Sequence, residues 1–387
     1  MVGLQKKEKK INEIELYIVA FLSLLPSGSI YEYFKLFVVI FLVFEKAITG
    51  TLFFNIKTGI IIILLVFLTA TSYVMSVFSS TINGQALLHE FKRNLFLCAL
   101  ILVCSNIDVN FKTIYRLCAI FLCLNTFIQL LELFKVEFVF DFIEKYYVTS
   151  EDGSVHLELA KYKSLRYFRA GSIFLNPNIY MIIPLVSMAV FLQRSLIEKS
   201  RINKLMIFIA AISMFLAGSR TAFIIVFLLV FIYFINRRIK PSYKITLIII
   251  EVLFLLICFL LADKYRFFDF ASGLDNSIGF KMRQLIDYLK NLKPISLLLG
   301  ALSQGGYGQL DFEIGYIFAY YGMVGLIWFG LVVFSIEYGK EKYKFLTVAI
   351  RGVLVCMACT ATILLCMPIC SFFISLALLR PIKEING

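Results

Sequence analysis

Histidine is nearly missing from this chain: His89 and His156 are the only two in 387 residues, which leaves too few imidazoles for a histidine-built metal centre. The soluble-enzyme signatures are missing as well. No GxSxG elbow, Walker A loop, HExxH pair or dinucleotide fingerprint occurs in a suitable context. The nine cysteines all fall in apolar stretches between Cys98 and Cys370 and none in the long hydrophilic loops, which excludes a disulfide-stapled domain outside the membrane. Cys356-x-x-Cys359 and Cys366-x-x-x-Cys370 have metal-like spacing but no neighbouring histidine, and they read as small packing residues. No metal and no cofactor is expected.

Acidic residues are also scarce beside basic ones, 25 against 38, for a net charge of +13. The distribution of that charge points away from nucleic acid. Loop 194–204 carries Arg194, Lys199, Arg201 and Lys204 against Glu198 alone, and the next basic loop holds Arg237, Arg238, Lys240 and Lys244 with no acid. These are cytoplasmic loops under the positive-inside rule, and Lys6, Lys7, Lys9 and Lys10 place the N-terminus on the same side. No cleavable signal peptide is evident, because the first apolar run leads straight into further spans.

What the chain does have is hydrocarbon. It is 60% hydrophobic with a mean hydropathy of +0.88, whereas soluble domains sit nearer ~45–50% apolar. Apolar runs predict an all-α polytopic membrane protein forming one domain over 1–387. About twelve spans are expected, near 13–27, 30–44, 58–79, 94–106, 113–134, 172–192, 205–218, 221–236, 245–262, 312–336, 346–361 and 362–379. The last two share 28 uncharged residues between Arg351 and Arg380, which make either one long span or a tight hairpin. Both termini then lie in the cytoplasm, and two large loops, 135–171 and 263–311, lie on the outer face. The first carries Asp141, Glu144, Glu151, Asp152, His156, Glu158, Arg166 and Arg169 and reads as solvated. The second contains an expected surface helix around 280–293, with Met282, Leu285, Ile286, Leu289 and Leu292 on one stripe and Arg283, Asp287 and Lys290 on its flank. Pro294 ends that helix, and the glycines after it read as flexible.

One charge stands out. Arg220 is the only charged residue between Leu205 and Ile235, a run too long for one span and barely enough for two, so Gly218-Ser219-Arg220-Thr221 is expected at a turn between two short helices. Under the topology above this turn faces outward, as do the Arg283 helix and the pair Asp311 and Glu313 at the head of the tenth span. Arginines bind phosphate oxygens through two parallel hydrogen bonds, and a carboxylate beside them can take a proton from an attacking hydroxyl. The plainer alternatives are an anchoring role for Arg220, a partner of Asp287 for Arg283, and helix N-terminal charges for Asp311 and Glu313. Arg166 and Arg169 either add to the anion site or line a solvated flank, and Asn176 and Asn178 flank Pro177 as residues favoured at a helix start. Glu132 and Glu251 serve either proton coupling or helix packing.

Three motifs in order, Phe174-x-Asn176-Pro177-Asn178, Ser219-Arg220-Thr221-Ala222 and Asp311-x-Glu313-x-Gly315-Tyr316 followed by Gly322 and Gly325, resemble the O-antigen polymerase and ligase family over about 172–330. The resemblance implies a GT-C-like inverting, metal-independent glycosyltransferase of the bacterial inner membrane. Its substrate would be an undecaprenyl-diphosphate-linked glycan of O-antigen or capsule, met at the periplasmic face, with membrane lipids and a chain-length regulator as partners. Carried over, Arg220 and Arg283 bind the diphosphate, helped by Arg166, Arg169, Asn176 and Asn178. Asp311 takes the acceptor proton, and Glu313 is the substitute base. Ligases of the family place a histidine near the outer end of the span that Asp311 begins; this chain has none there, which favours a polymerase of repeat units. The rival class is a flippase or transporter of lipid-linked oligosaccharide, which calls for paired broken helices in two related halves, and no such symmetry is legible.

Overall fold

Hydrocarbon cannot hydrogen-bond a peptide group, so a chain this apolar must satisfy its backbone internally. It does so with helices: among the described residues there is no strand. The computed structural model describes residues 2–26, 29–78, 84–148, 154, 157–158, 161, 170–237, 290, 294–300, 312–339, 341–359, 361, 363–364 and 366–379. The helices are α1 (Val2–Phe21), α2 (Ser29–Ile48), α3 (Ile56–Phe78), α4 (Gly84–Cys104), α5 (Phe111–Leu133), α6 (Glu137–Tyr147), the single turn α7 (Pro177–Tyr180), α8 (Ile182–Ile197), α9 (Arg201–Ala217), α10 (Arg220–Asn236), α11 (Pro294–Leu299), α12 (Glu313–Ser335), α13 (Lys344–Ala358) and α14 (Met367–Ala377). Four stretches are long and apolar enough to cross a membrane: Ile56–Val74, Phe111–Leu133, Pro177–Ile197 and Glu313–Ser335. The described elements are thus all helical, with the long apolar helices of a membrane protein. The expected span 245–262 and the expected surface helix around 280–293, apart from Lys290, lie outside the described residues.

Polar contacts sort the helix ends into two layers. At one end Lys57 at the start of α3 pairs with Glu337 just beyond α12 at 3.1 Å, Asn106 after α4 accepts the Phe53 amide at 2.8 Å, and Gln193 of α8 reaches both Lys342 and the Leu346 amide of α13. Arg194, Lys199, Arg201, Lys204 and Arg237 lie at or beyond helix ends on this side, which we call the basic end. At the far end Ser72 of α3 donates to the Tyr320 carbonyl of α12 at 2.8 Å, and the Ala170 amide donates to the Leu216 carbonyl of α9 at 3.0 Å. The segments that alternate between cytoplasmic and outer in the sequence reading therefore alternate between these two ends. α8 and α14 form the centre: Ile182 through Gln193 are all buried, and Phe372, Phe373 and Ile374 have no exposure. A helix apolar all round has nowhere stable except among other helices, and α14 packs on α1, α4 and α8.

Several elements of the folded chain differ from those expected. α4 starts at Gly84, ten residues before the expected span, so Glu90 and Arg93 are inside a helix and not in a loop. The uncharged C-terminal run is broken into α13 and α14 around 359–366. Loop 135–171 is not simply solvated, because α6 buries Val139, Phe140 and Ile143 in a small cluster of its own. Pro294 opens a helix, α11, instead of only ending one, and the described part of loop 263–311 is not a flexible aqueous strand. Gly300 is buried, and α11 packs on α3 and α12.

That packing depends on two glycines. Gly322 interrupts α12 at φ 63°, ψ −155°, and Gly300 lies at φ 78°, so both occupy backbone regions that favour glycine. A Cβ on Gly300 would overlap the Tyr320 carbonyl, and one on Gly322 would overlap the Leu298 carbonyl. The carbonyl of Tyr320, just before the interruption, receives the Ser72 hydroxyl. Gly322→Ala is therefore expected to cost roughly 1–3 kcal/mol from backbone strain alone, before the overlap is counted. Thermal unfolding of the purified protein in detergent checks this, and an unchanged midpoint would show that the interruption carries no constraint.

Candidate functional site

Two polar centres occupy the far end. The first surrounds the turn that the sequence singles out. α9 ends on Gly218 in the left-handed region (φ 59°, ψ 29°), whose amide returns to the Met214 and Phe215 carbonyls, and α10 opens at once with Arg220. The expected pair of short helices forms, but the turn is shorter than the expected Gly218-Ser219-Arg220-Thr221: only Gly218 and Ser219 lie between the helices, and Arg220 and Thr221 open α10. Ser219 is buried and donates to Asn178 Oδ1 at 3.0 Å. Asn176 Oδ1 accepts the Asn178 amide at 2.9 Å as the cap of α7, with Pro177 at the first helical position. Asn176 and Asn178 are thus held in one constellation with the turn that bears Arg220, whose side chain is outside the described set.

The segment beneath this turn is strained and pinned. Ser172 and Leu175 adopt positive φ, 52° and 58°, without being glycine, and a Cβ on Gly171 would overlap the Leu175 carbonyl. Buried side chains of α5 hold it: Gln129 Nε2 donates to the Ala170 and Ser213 carbonyls at 3.0 and 3.3 Å, and Glu132 accepts the Ser172 amide at 3.2 Å. Ser172 donates to Asn125 at 2.9 Å, and Tyr180 and Ser213 both donate to Gln129 Oε1 at 3.2 and 2.9 Å. Glu132 is therefore a hydrogen-bonded packing residue here. Backbone strain of this kind costs of order 1–3 kcal/mol per residue and clusters at ligand sites.

The second centre was not legible as a site. Glu90 and Arg93 of α4 are 3% exposed each and form a buried ion pair. Tyr321 of α12 also donates to Glu90 Oε1, Tyr316 donates to Oε2 at 3.3 Å, and Asn94 bridges to Tyr321 at 2.6 Å and to Thr69 at 2.9 Å. Arg93 reaches the Tyr316 hydroxyl at 2.8 Å and stands 4.9 Å from that ring, which in turn stacks on Tyr320 at 4.0 Å. Glu90 and Asn94 also line a cavity of about 470 Å³ between α3 and α4, together with Thr69, Tyr73 and apolar groups such as Val66, Ala70, Leu87 and Phe91. The signal in the sequence was the i, i+3 pairing of Glu90 and Arg93, which a span placed too late assigned to solvent.

Glu313 links the head of α12 to the break between α13 and α14. It has no exposure, its amide donates to the Ala361 carbonyl at 3.2 Å, and its Oε2 accepts the Ile363 and Leu364 amides. The carboxylate thus bonds backbone amides, which fits a structural role better than a base. Asp311, Arg283, Arg166 and Arg169 lie outside the described residues. Among the described residues no group of three or more histidine, cysteine, aspartate or glutamate side chains could hold a metal.

Fold and site together define a helical membrane protein with a polar turn above a strained segment and a buried ion-pair network at the same end. Comparison finds no matching family model, no matching curated protein and no matching solved structure.

Proposed function

We propose that this protein polymerises repeat units of a lipid-diphosphate-linked glycan at the outer surface of a bacterial inner membrane, with the far end of the bundle facing outward. The observation that carries the reading is the height of the Arg220 turn. Leu216 and Gln129 both bond Ala170, so they share a level, and Gln129 lies four residues, about 6 Å, below the end of α5. A helix N-terminus bearing an arginine near the end of a spanning helix supports the reading, because such ends attract phosphate through free amides and the helix dipole. Arg283 is the second proposed diphosphate ligand and Asp311 the proposed base. The glycan hydroxyl would lose its proton to Asp311 as it attacks the anomeric carbon, and the lipid diphosphate would leave without a metal.

Purified protein supplied with lipid-linked repeat units is expected to lengthen them with no added metal or nucleotide. A deletion strain is expected to keep single repeat units that still reach their final acceptor, and Asp311→Asn to reproduce that pattern. Polymer stranded on the carrier would instead mark a ligase, and single units facing the cytoplasm a flippase. Reporter fusions near residues 155 and 290 test the orientation; a cytoplasmic signal at 290 would remove the proposed site from the carrier's diphosphate.

A further inference from the structure

α6 carries three kinds of surface, and only two of them are accounted for by protein and water. At 100° per residue, Val139, Phe140, Ile143 and Tyr147 share the sector turned to the bundle; the first three are buried and Tyr147 donates to the Leu24 carbonyl at 2.7 Å. Glu137, Asp141, Glu144 and Lys145 share the opposite, charged sector. Between them Phe138, Phe142 and Tyr146 recur every four residues and are 77%, 43% and 40% exposed, continuing from Phe134 at the end of α5, which is 73% exposed. Water would leave that aromatic stripe unfavourably solvated, and nothing among the described residues covers it.

Its position says what does. α6 leaves the end of the spanning helix α5 after a short link in which Lys135 turns the chain at φ 56°, and its last residue is tied to Leu24 in the short turn that follows α1. The helix therefore crosses the far end of the bundle and does not prolong the span. A helix at a span's end, with charges on one side and aromatics on the other, meets water and hydrocarbon at once. We infer that α6 is an interfacial helix whose Phe138, Phe142 and Tyr146 insert into the lipid headgroup and upper acyl layer of the leaflet at the far end. The occupant of the stripe is bilayer lipid: phenylalanine rings favour hydrocarbon, and the charged sector, three carboxylates to one lysine, adjoins the stripe on the side turned from the bundle, where water begins. This inference stands independently of the glycan reading.

The chain supplies a convenient probe, because Trp328 is its only tryptophan and is fully buried with its indole N–H donating to the Ile61 carbonyl at 3.1 Å. Phe142→Trp and, separately, Phe138→Trp are reconstituted as full-length protein in phosphatidylcholine vesicles brominated either near the glycerol backbone or near the chain ends, with the unmodified protein giving the Trp328 background. Both new indoles are expected to emit to the blue of free tryptophan. Both should be quenched more by the shallow bromines than by the deep ones, as a depth of roughly 5–10 Å requires. Asp141→Trp is expected to emit as in water and to be quenched by neither lipid. Absence of quenching at both 138 and 142 would overturn the inference, as would protection that appears only on self-association or on adding glycan.

Discussion

Arg220→Ala is expected to abolish polymer while leaving the protein folded and at normal levels in the membrane. The Gly218 C-cap and the Ser219–Asn178 bond, which build the turn, do not involve the arginine side chain. On the proposed reading, loss of the guanidinium removes two parallel hydrogen bonds to a phosphate, each charge-assisted bond being worth about 1.5–3 kcal/mol, so activity should fall by two or more orders of magnitude. Lysine keeps the charge but not the fork, and Arg220→Lys should recover only a small part. The measurement is repeat-unit extension by purified variants, with thermal unfolding as the control for folding. Wild-type extension by Arg220→Ala would make the residue a membrane anchor and nothing more.

The largest expected effect on stability belongs to the other centre. Arg93→Ala leaves the Glu90 carboxylate buried without its cation, a loss of roughly 3–5 kcal/mol when one partner of such a pair is removed. Neutralising both, Glu90→Gln with Arg93→Met, keeps volume and most of the bonds to Tyr321 and Asn94 and is expected to regain most of that loss. Unfolding midpoints of the two variants decide it. Equal destabilisation by the single and the double change would show that the hydroxyl network, not the ion pair, holds α4 to α12.

Helix placement was largely legible because apolar runs between basic loops report a bilayer directly, and the Gly218-Ser219-Arg220 turn was legible because a charge and a glycine interrupt one such run. Asn176 and Asn178 were readable as helix-start residues, but their union with Ser219 was not, since it joins residues forty-one apart in sequence. Glu90 and Arg93 were missed for a related reason: a hydropathy run begins where charges stop, whereas a helix can carry a paired charge two turns into its apolar body. The amphipathic character of α6 was hidden by the four charges that make its sequence look like a solvated loop. Gly300 and Gly322 were read as flexibility and as part of a motif, when what they supply is room for two backbones to cross.

The interruption at Gly322 has a mechanical meaning for the bundle. Residues 313–321 are bonded to the 361–364 bend through Glu313 and to α4 through Tyr316 and Tyr321, residues 323–335 are bonded to α3 through Trp328, and α3 also reaches the Tyr320 carbonyl through Ser72. α3 thus holds α12 on both sides of the interruption, and with Leu298 and Gly300 packed against Gly322 the bend fixes the head of the helix against α4 and α11 together.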